Sequence, residues 1–244
     1  MGVIDVRDLR KTFRIPSVKR ETIREHLFGA LTRRTWDELR VLDGVTFSVE
    51  KGETFGIMGR NGCGKSTLLK ILSGIYRPDG GAVEVNAPVT PILELGLGWN
   101  GELTAEDNVL LTGTAMGLTI KEVRNELQRI LQFAELERFA NLELKHYSSG
   151  MSARLAYAIA FHAVREILIL DEVLAVGDAG FRQKCVERFH ELRKAGRTIV
   201  MVGHDADAMA TFCDRAILLD GGKIILEGAP KTIADEYQRM LGAA

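Results

Sequence analysis

The sequence lacks a long uninterrupted apolar run: the stretch "EILILDEVLAV" is broken by acids and falls short of the roughly 20 residues that cross a bilayer. The first residues, "MGVIDVRDLRKTF", alternate apolar and polar residues and lack the long apolar core of a signal peptide. Charge of one sign is missing. Lys and Arg number 32 against 33 Asp and Glu, and a formal net charge of -1 argues against a dedicated nucleic-acid binder. Cysteine is scarce: Cys63, Cys185 and Cys213 form an odd set without metal-like spacing, so a reduced, cytoplasmic protein is the simplest expectation. Internal repeats and disordered linkers are also lacking. Work at a membrane would therefore need a partner that spans it. What is present is apolar material for a substantial core, 46% of 244 residues, in one large domain or one domain with a lobe.

The order of patterns predicts an α/β fold. "VIDVRDL" reads as a strand, and from Pro16 to about Arg40 the text is charged and helical, with Ile23, Leu27 and Leu31 at helical spacing among basic residues. "VLDGVTFSVEKGETFGIMG" reads as two strands joined by the turn Lys51-Gly52, the second running into a glycine loop and the helix "KSTLLKILSGI". "RPDGGAVEVN" adds a turn and strand. The helical period dominates from about Thr104 to Ala163, ending in "KHYSSGMSARLAYAIAF", which reads as an amphipathic helix with Ser148, Ser149 and Gly150 at its start. "EILILDE" and "RTIVMVGHD" read as buried strands, "RAILLDGGKIILEG" as a hairpin turning at Gly221-Gly222, and "KTIADEYQRML" as a closing helix. Strands alternating with helices imply a partly parallel sheet, and the helical middle implies a lobe inserted into that core.

"GRNGCGKST", Gly59 to Thr67, fits G-x-x-x-x-G-K-[ST] with a strand before it and a helix after it. Gly59, Gly62 and Gly64 let the backbone curl so that N–H groups, those of Asn61 and Cys63 among them, face phosphate oxygens. Lys65 would neutralise the β- and γ-phosphates, and Ser66, beside Thr67, would complete a magnesium shell. The alternative, a chance glycine turn, does not explain the flanking strand and helix. The chain is expected to bind a nucleoside triphosphate. Cys63, at a helix N-terminus, raises a side expectation of a thiol acidic enough to alkylate and protected by ATP.

Asp171 and Glu172 end a buried apolar strand, where carboxylates serve no packing purpose. Asp171 suits holding magnesium and Glu172 suits polarising an attacking water; the alternative is an acidic pair capping the next helix. His204 again follows an apolar strand, where a lone histidine is usually packed core. Beside the other motifs it suits contact with the γ-phosphate or the attacking water. Ser148, Ser149 and Gly150 could hold an anion at their helix start, yet no lysine or second glycine loop lies beside them in sequence.

The glycine loop, "YSSGM", "ILILDEVLAVGD" and "VGHD" together resemble, in order and spacing, the ATP-binding cassette (ABC) transporter ATPases, over nearly the whole chain. The resemblance implies one nucleotide-binding domain over 1–244, with a P-loop (RecA-like) core, an N-terminal antiparallel β subdomain, an inserted segment at about 16–40, a helical lobe at about 95–163 and completion of the core by 164–244. It implies ATP and Mg2+ as ligands, Phe13 as the adenine-stacking aromatic, and a head-to-tail homodimer. In that dimer Ser148, Ser149, Gly150 and Met151 would cover the other subunit's ATP, and Asp178 would link the two sites. Two departures stand out. The signature reads Tyr-Ser-Ser-Gly-Met where the family usually has Leu-Ser-Gly-Gly-Gln, and Glu94 falls where the family carries a magnesium-sensing glutamine; a carboxylate there could bind metal but cannot donate a hydrogen bond.

"LELGLGWNGELTAEDNV", "YSSGMSARLAYAIA" and "DEVLAVGDAGFRQKC" are similar to the subgroup that exports bacterial O-antigen, capsule and teichoic acid. The subgroup implies a polyprenyl-linked glycan substrate, a transmembrane permease, two copies of it in the complex, and a place on the cytoplasmic face of the bacterial inner membrane. Ser17 to Arg34 is expected as a helix at the permease mouth, its basic face (Lys19, Arg20, Arg24, Arg33, Arg34) guiding a pyrophosphate, with a plain solvated helix as the alternative. Trp99 to Asn108 is expected to dock the permease, Trp99 serving as an interface anchor or as lobe core. Some relatives carry a C-terminal glycan-reading domain, and none is expected within this chain. The rival readings are a permease-free ABC ATPase, which would carry long coiled-coil insertions or paired cassettes, a P-loop kinase or GTPase, which would lack the signature and in a GTPase show N/T-K-x-D, and an ATP-sensing scaffold without turnover.

Overall fold

Strand β1 (Ile4–Pro16) runs antiparallel to β2 (Trp36–Val49) on one side and to β4 (Gly80–Val85) on the other, giving a three-stranded sheet in the order β2-β1-β4. The structure is a computed structural model that describes residues 2–16, 36–92, 98–171 and 177–242. Ile4, Val6 and Leu9 are fully or almost fully buried. The period of two slips by one between Val6 and Leu9 because Asp8, at φ 48°, forms a bulge where the register shifts.

The second sheet has six strands in the order β5-β6-β7-β3-β8-β9. They are β3 (Thr54–Gly59), β5 (Val89–Ile92), β6 (Ile167–Asp171), β7 (Thr198–Gly203), β8 (Arg215–Asp220) and β9 (Lys223–Gly228). All neighbours pair in parallel except β8 and β9. Strand β3 is buried at every position, as a parallel strand covered on both faces must be. The turn at Lys51-Gly52 therefore carries the chain from one sheet to the other and closes no hairpin. Helices α1 (Lys65–Leu72), α5 (Ala179–Lys194), α6 (Ala206–Phe212) and α7 (Pro230–Gly242) complete the core.

The inserted lobe is helical, as the sequence predicts: α2 (Ala105–Ala115), α3 (Ile120–Ala134) and α4 (Ser149–His162). Thr119 opens α3 through a full capping box with Glu122. Asn108 is fully buried and ties the lobe's entry loop down: its amide donates to the carbonyls of Asn100, Leu103 and Thr104, and its oxygen accepts from Asn100 N at 2.9 Å. Among the described residues no helix is long and apolar enough to cross a membrane.

Two expectations change, and three elements are not foreseen. Residues 36–40, predicted as helix, are strand: Pro16 pairs Trp36, Arg14 pairs Glu38, and Thr12 pairs Arg40. Charges spaced to suit a helix also suit a cross-strand ladder, and here the ladder wins. Helix α4 is not amphipathic beyond its first turns, since Leu155 to Phe161 are buried without interruption. One side of it (Leu155, Ala158, Ile159) joins the lobe's core and the other (Tyr157, Ala160, Phe161) joins the sheet's, so the helix is the seam between them. Strand β5 and helices α5 and α6 have no counterpart in the sequence reading. The helical proposal for Ser17 to Arg34 lies outside the described residues.

Candidate functional site

The register of the large sheet gathers the predicted site. Met58 of β3 lies opposite Gly203 of β7, and Val202 lies opposite Asp171 of β6. The glycine loop, Asp171 and His204 thus leave three adjacent parallel strands at the same carboxyl edge, the usual ligand crevice of such sheets. A cavity of about 470 Å³ opens there, lined by Asn61, Gly62, Gly64, Lys65, Ser66 and Thr67 together with Val41 and Asp171.

The loop is shaped by close approach. Gly64 has φ 111°, and a Cβ on it would stand 2.8 Å from both Val41 O and the Leu42 side chain. A Cβ on Gly59 would stand 2.3 Å from Leu219 O. Gly222, in the β8–β9 turn, donates its N–H to Cys63 O at 3.2 Å and accepts from Asp43 N at 2.9 Å, stitching the loop to β2. Helix α1 begins at Lys65 with Gly64 as its cap and no side chain bonded to its first N–H groups, so the helix start is left for an anion. Lys65 Nζ is buried and donates to Gly59 O at 2.7 Å and Arg60 O at 3.0 Å, which holds the ammonium over the loop. Ser66 and Asp171 bring two hard oxygen donors to one cavity. That set fits Mg2+, which takes one or two protein ligands and completes its shell with water and phosphate oxygens.

Cys63 corrects one expectation. Its side chain is 5% exposed within the main core, and burial pushes the thiol up against the opposing pull of the nearby Lys65 charge. The thiolate is therefore rarer than in a free cysteine, and alkylation is expected to be slow with ATP and without it. Mass-spectrometric labelling under both conditions checks this, and fast labelling that ATP suppresses would restore the reactive thiol.

The other predicted residues sit elsewhere. Phe13 is half-buried on β1, its ring edge-on to Tyr76 with centroids 5.6 Å apart and Lys11 Nζ 5.3 Å from its centroid, and it is not among the cavity's lining residues. Ser148 caps α4 by accepting from Met151 N at 3.2 Å, which leaves Ser149 and Gly150 in the exposed first turn. Asp178 caps α5, accepting from Phe181 N at 3.0 Å. That N–H, followed by the Arg154 charge, holds its carboxyl below the usual range. His204 is exposed beside Asp205, the cap of α6. Trp99 is half-buried against the lobe's core, the packed alternative of its two readings. Glu94 and Glu172 lie outside the described residues. The sequence reading omits Val41 and Gly222; only contacts across the fold bring them to the loop.

An ABC transporter family model matches residues 42–175. "ABC transporter protein AbcA" of Aeromonas salmonicida is 41% identical over 202 residues, 83% of this chain and 66% of that protein. "O-antigen export system ATP-binding protein RfbB" of Myxococcus xanthus is 37% identical over 250 residues, 100% of this chain and 57% of that protein. The chain thus spans less than two thirds of the length of these relatives. Among solved structures, the dimeric post-hydrolysis state of the ATP-binding cassette MJ0796 bound to ADP and Pi matches with a TM-score of 0.72 and 25% identity, over 93% of this chain and 98% of that one. Loop, sheet order, lobe and relatives agree: the chain belongs to the ABC transporter family.

Proposed function

We propose that this chain is the ATP-hydrolysing motor of an exporter that moves a lipid-linked polysaccharide, an O-antigen or similar cell-surface glycan, across the cytoplasmic membrane. The observation that carries the motor half is the cavity that brings Asn61, Gly62, Gly64, Lys65, Ser66 and Thr67 of the loop together with Asp171 at one sheet edge. The export half is supported by the Myxococcus relative, which matches over the whole chain and is named for O-antigen export.

In this reading Lys65 and the loop N–H groups hold the phosphates, and Ser66, Asp171 and Glu94 would hold Mg2+. When bound, the ion neutralises phosphate charge as the γ-phosphoryl group leaves. Glu172 accepts a proton from the attacking water, His204 contacts the γ-phosphate, and Phe13 stacks on adenine. Two copies pack head to tail, so that Ser148 to Met151 of each close over the other's nucleotide and Asp178 joins the two sites. The dimer works from the cytoplasmic face on two copies of a permease that carries a polyprenyl-linked glycan.

The test is a pull-down. Tagged Glu172→Gln protein is expressed in the native host, membranes are solubilised gently with ATP present, and co-purifying protein and lipid are identified. A polytopic permease bringing a glycolipid supports the exporter. A soluble partner, or none beside a stable ATP dimer, moves the function to a permease-free ATPase.

A further inference from the structure

Arg154, on the second turn of α4, reaches three places at once. Its Nη1 donates to Glu135 Oε2 at 2.8 Å, its Nη2 pairs with Asp178 Oδ2, and its guanidinium lies 5.3 Å from the Phe181 ring centroid. Lys184 of α5 pairs with the second oxygen of Glu135. The network thus joins α4, which starts with Ser149 and Gly150, to the end of α3 and to both the cap and second turn of α5. Asp178 is fixed by two bonds, one oxygen on Phe181 N and the other on Arg154, while its side chain stays 61% exposed.

Glu135 supplies an independent observation. It ends α3 at φ 60°, one of two non-glycine residues with left-handed backbone among the described residues. Glycine is the residue that position favours, having no Cβ to strain. Retaining a glutamate there makes sense if its carboxylate is needed, and its two oxygens are taken by Arg154 and Lys184.

We propose that Arg154 is a positioning residue which, braced by Glu135, presents Asp178 and the start of α4 to the second subunit in one fixed arrangement before the dimer closes. This rests on the head-to-tail dimer proposed above. A pre-ordered contact surface loses less conformational freedom on association, so the network acts on dimerisation and leaves phosphate binding in the single subunit alone. Its ion pairs are partly exposed, so their loss should barely move fold stability.

The experiment uses the full chain with Glu172→Gln, to which Arg154→Ala, Glu135→Gly or Asp178→Asn is added. Affinity for a fluorescent ATP analogue is measured in dilute, monomeric protein, dimerisation with ATP by sedimentation, and Tm by calorimetry. Arg154→Ala and Glu135→Gly are expected to keep nucleotide affinity within about 2-fold and to need about 10-fold more protein for half-dimerisation, the size of an ion-network coupling. Glu135→Gly should hold or raise Tm, because it relieves the left-handed backbone, so weakened dimerisation in that variant cannot come from a damaged fold. Combining Arg154→Ala with Asp178→Asn should cost no more than the worse single change. If both Arg154→Ala and Glu135→Gly dimerise like the parent, or the double change is additive, the positioning role is overturned while the dimer stands. If the parent itself fails to dimerise with ATP, the dimer reading falls and the positioning role falls with it.

Discussion

Lys65→Ala will fold normally and will neither hold ATP at concentrations that saturate the parent nor turn it over measurably. The ammonium is buried at the mouth of the glycine loop and donates to Gly59 O and Arg60 O. Those two bonds fix a full positive charge in the cavity that the loop and Asp171 line. In the proposed reading such a charge meets the β- and γ-phosphates and offsets the negative charge that shifts among their oxygens during transfer. Removing one fixed stabiliser of this kind costs about 10²–10³-fold in turnover, and loss of ground-state affinity adds to it. The fold should survive, because Lys65 lines the cavity and the space its side chain leaves can admit water; the net cost of an exchanged hydrogen bond is about 1 kcal/mol. Lys65→Arg should not rescue, since a planar guanidinium needs more room than the loop leaves and spreads its charge over a larger fork. Fluorescent-nucleotide titration and phosphate release, with a melting curve as control, check all three statements. ATP affinity within about 2-fold of the parent would mean that Lys65 does not meet the phosphates, since a lost ion contact of even 1.4 kcal/mol is tenfold.

The contrast between Lys65 and Arg154 shows which parts of this molecule the sequence carries openly. The chemistry of the phosphate loop is local: the glycines, the lysine and the hydroxyl act within nine residues, and the flanking strand and helix are each continuous in the text. Asp171 and His204 are legible for a related reason, since each ends an apolar run that must be a covered strand, and parallel strands in one sheet end at one edge. Strand β5 hides because four residues with Pro91 among them give no alternation to read, and its place is set by pairing with β6. Residues 36–40 mislead because their charges fit two periods, and pairing with residues 12–16 decides between them. Helix α5 was within reach, for Phe181, Cys185, Phe189 and Leu192 are buried at helical spacing behind the cap Asp178. The partition of the early strands between two sheets, and the meeting of Glu135, Arg154 and Asp178, depend on contacts between distant residues. No window of the sequence contains them.

Glu172→Gln should separate binding from turnover in the opposite sense to Lys65→Ala: ATP still binds, hydrolysis falls, and a closed dimer accumulates. Glu172 follows Asp171 directly in the chain, and Asp171 ends its strand at the carboxyl edge from which the loop and His204 also leave. Glutamine keeps the size of the side chain and its capacity for hydrogen bonds but cannot accept a proton at neutral pH. A general base contributes about 10²–10⁴-fold, so turnover should fall by that amount. Affinity should hold or rise, because removing a negative charge beside a triphosphate removes repulsion. On the proposed dimer, ATP favours closure and hydrolysis undoes it, so slowing hydrolysis should move the population to the dimer by mass action. Sedimentation with ATP and Mg2+, beside phosphate release in the same samples, reads both effects. A variant that hydrolyses at the parent rate would remove Glu172 from the chemistry and leave His204 to be tested as the base. A variant that is slow yet stays monomeric at saturating ATP would keep Glu172 as the base and overturn the head-to-tail dimer.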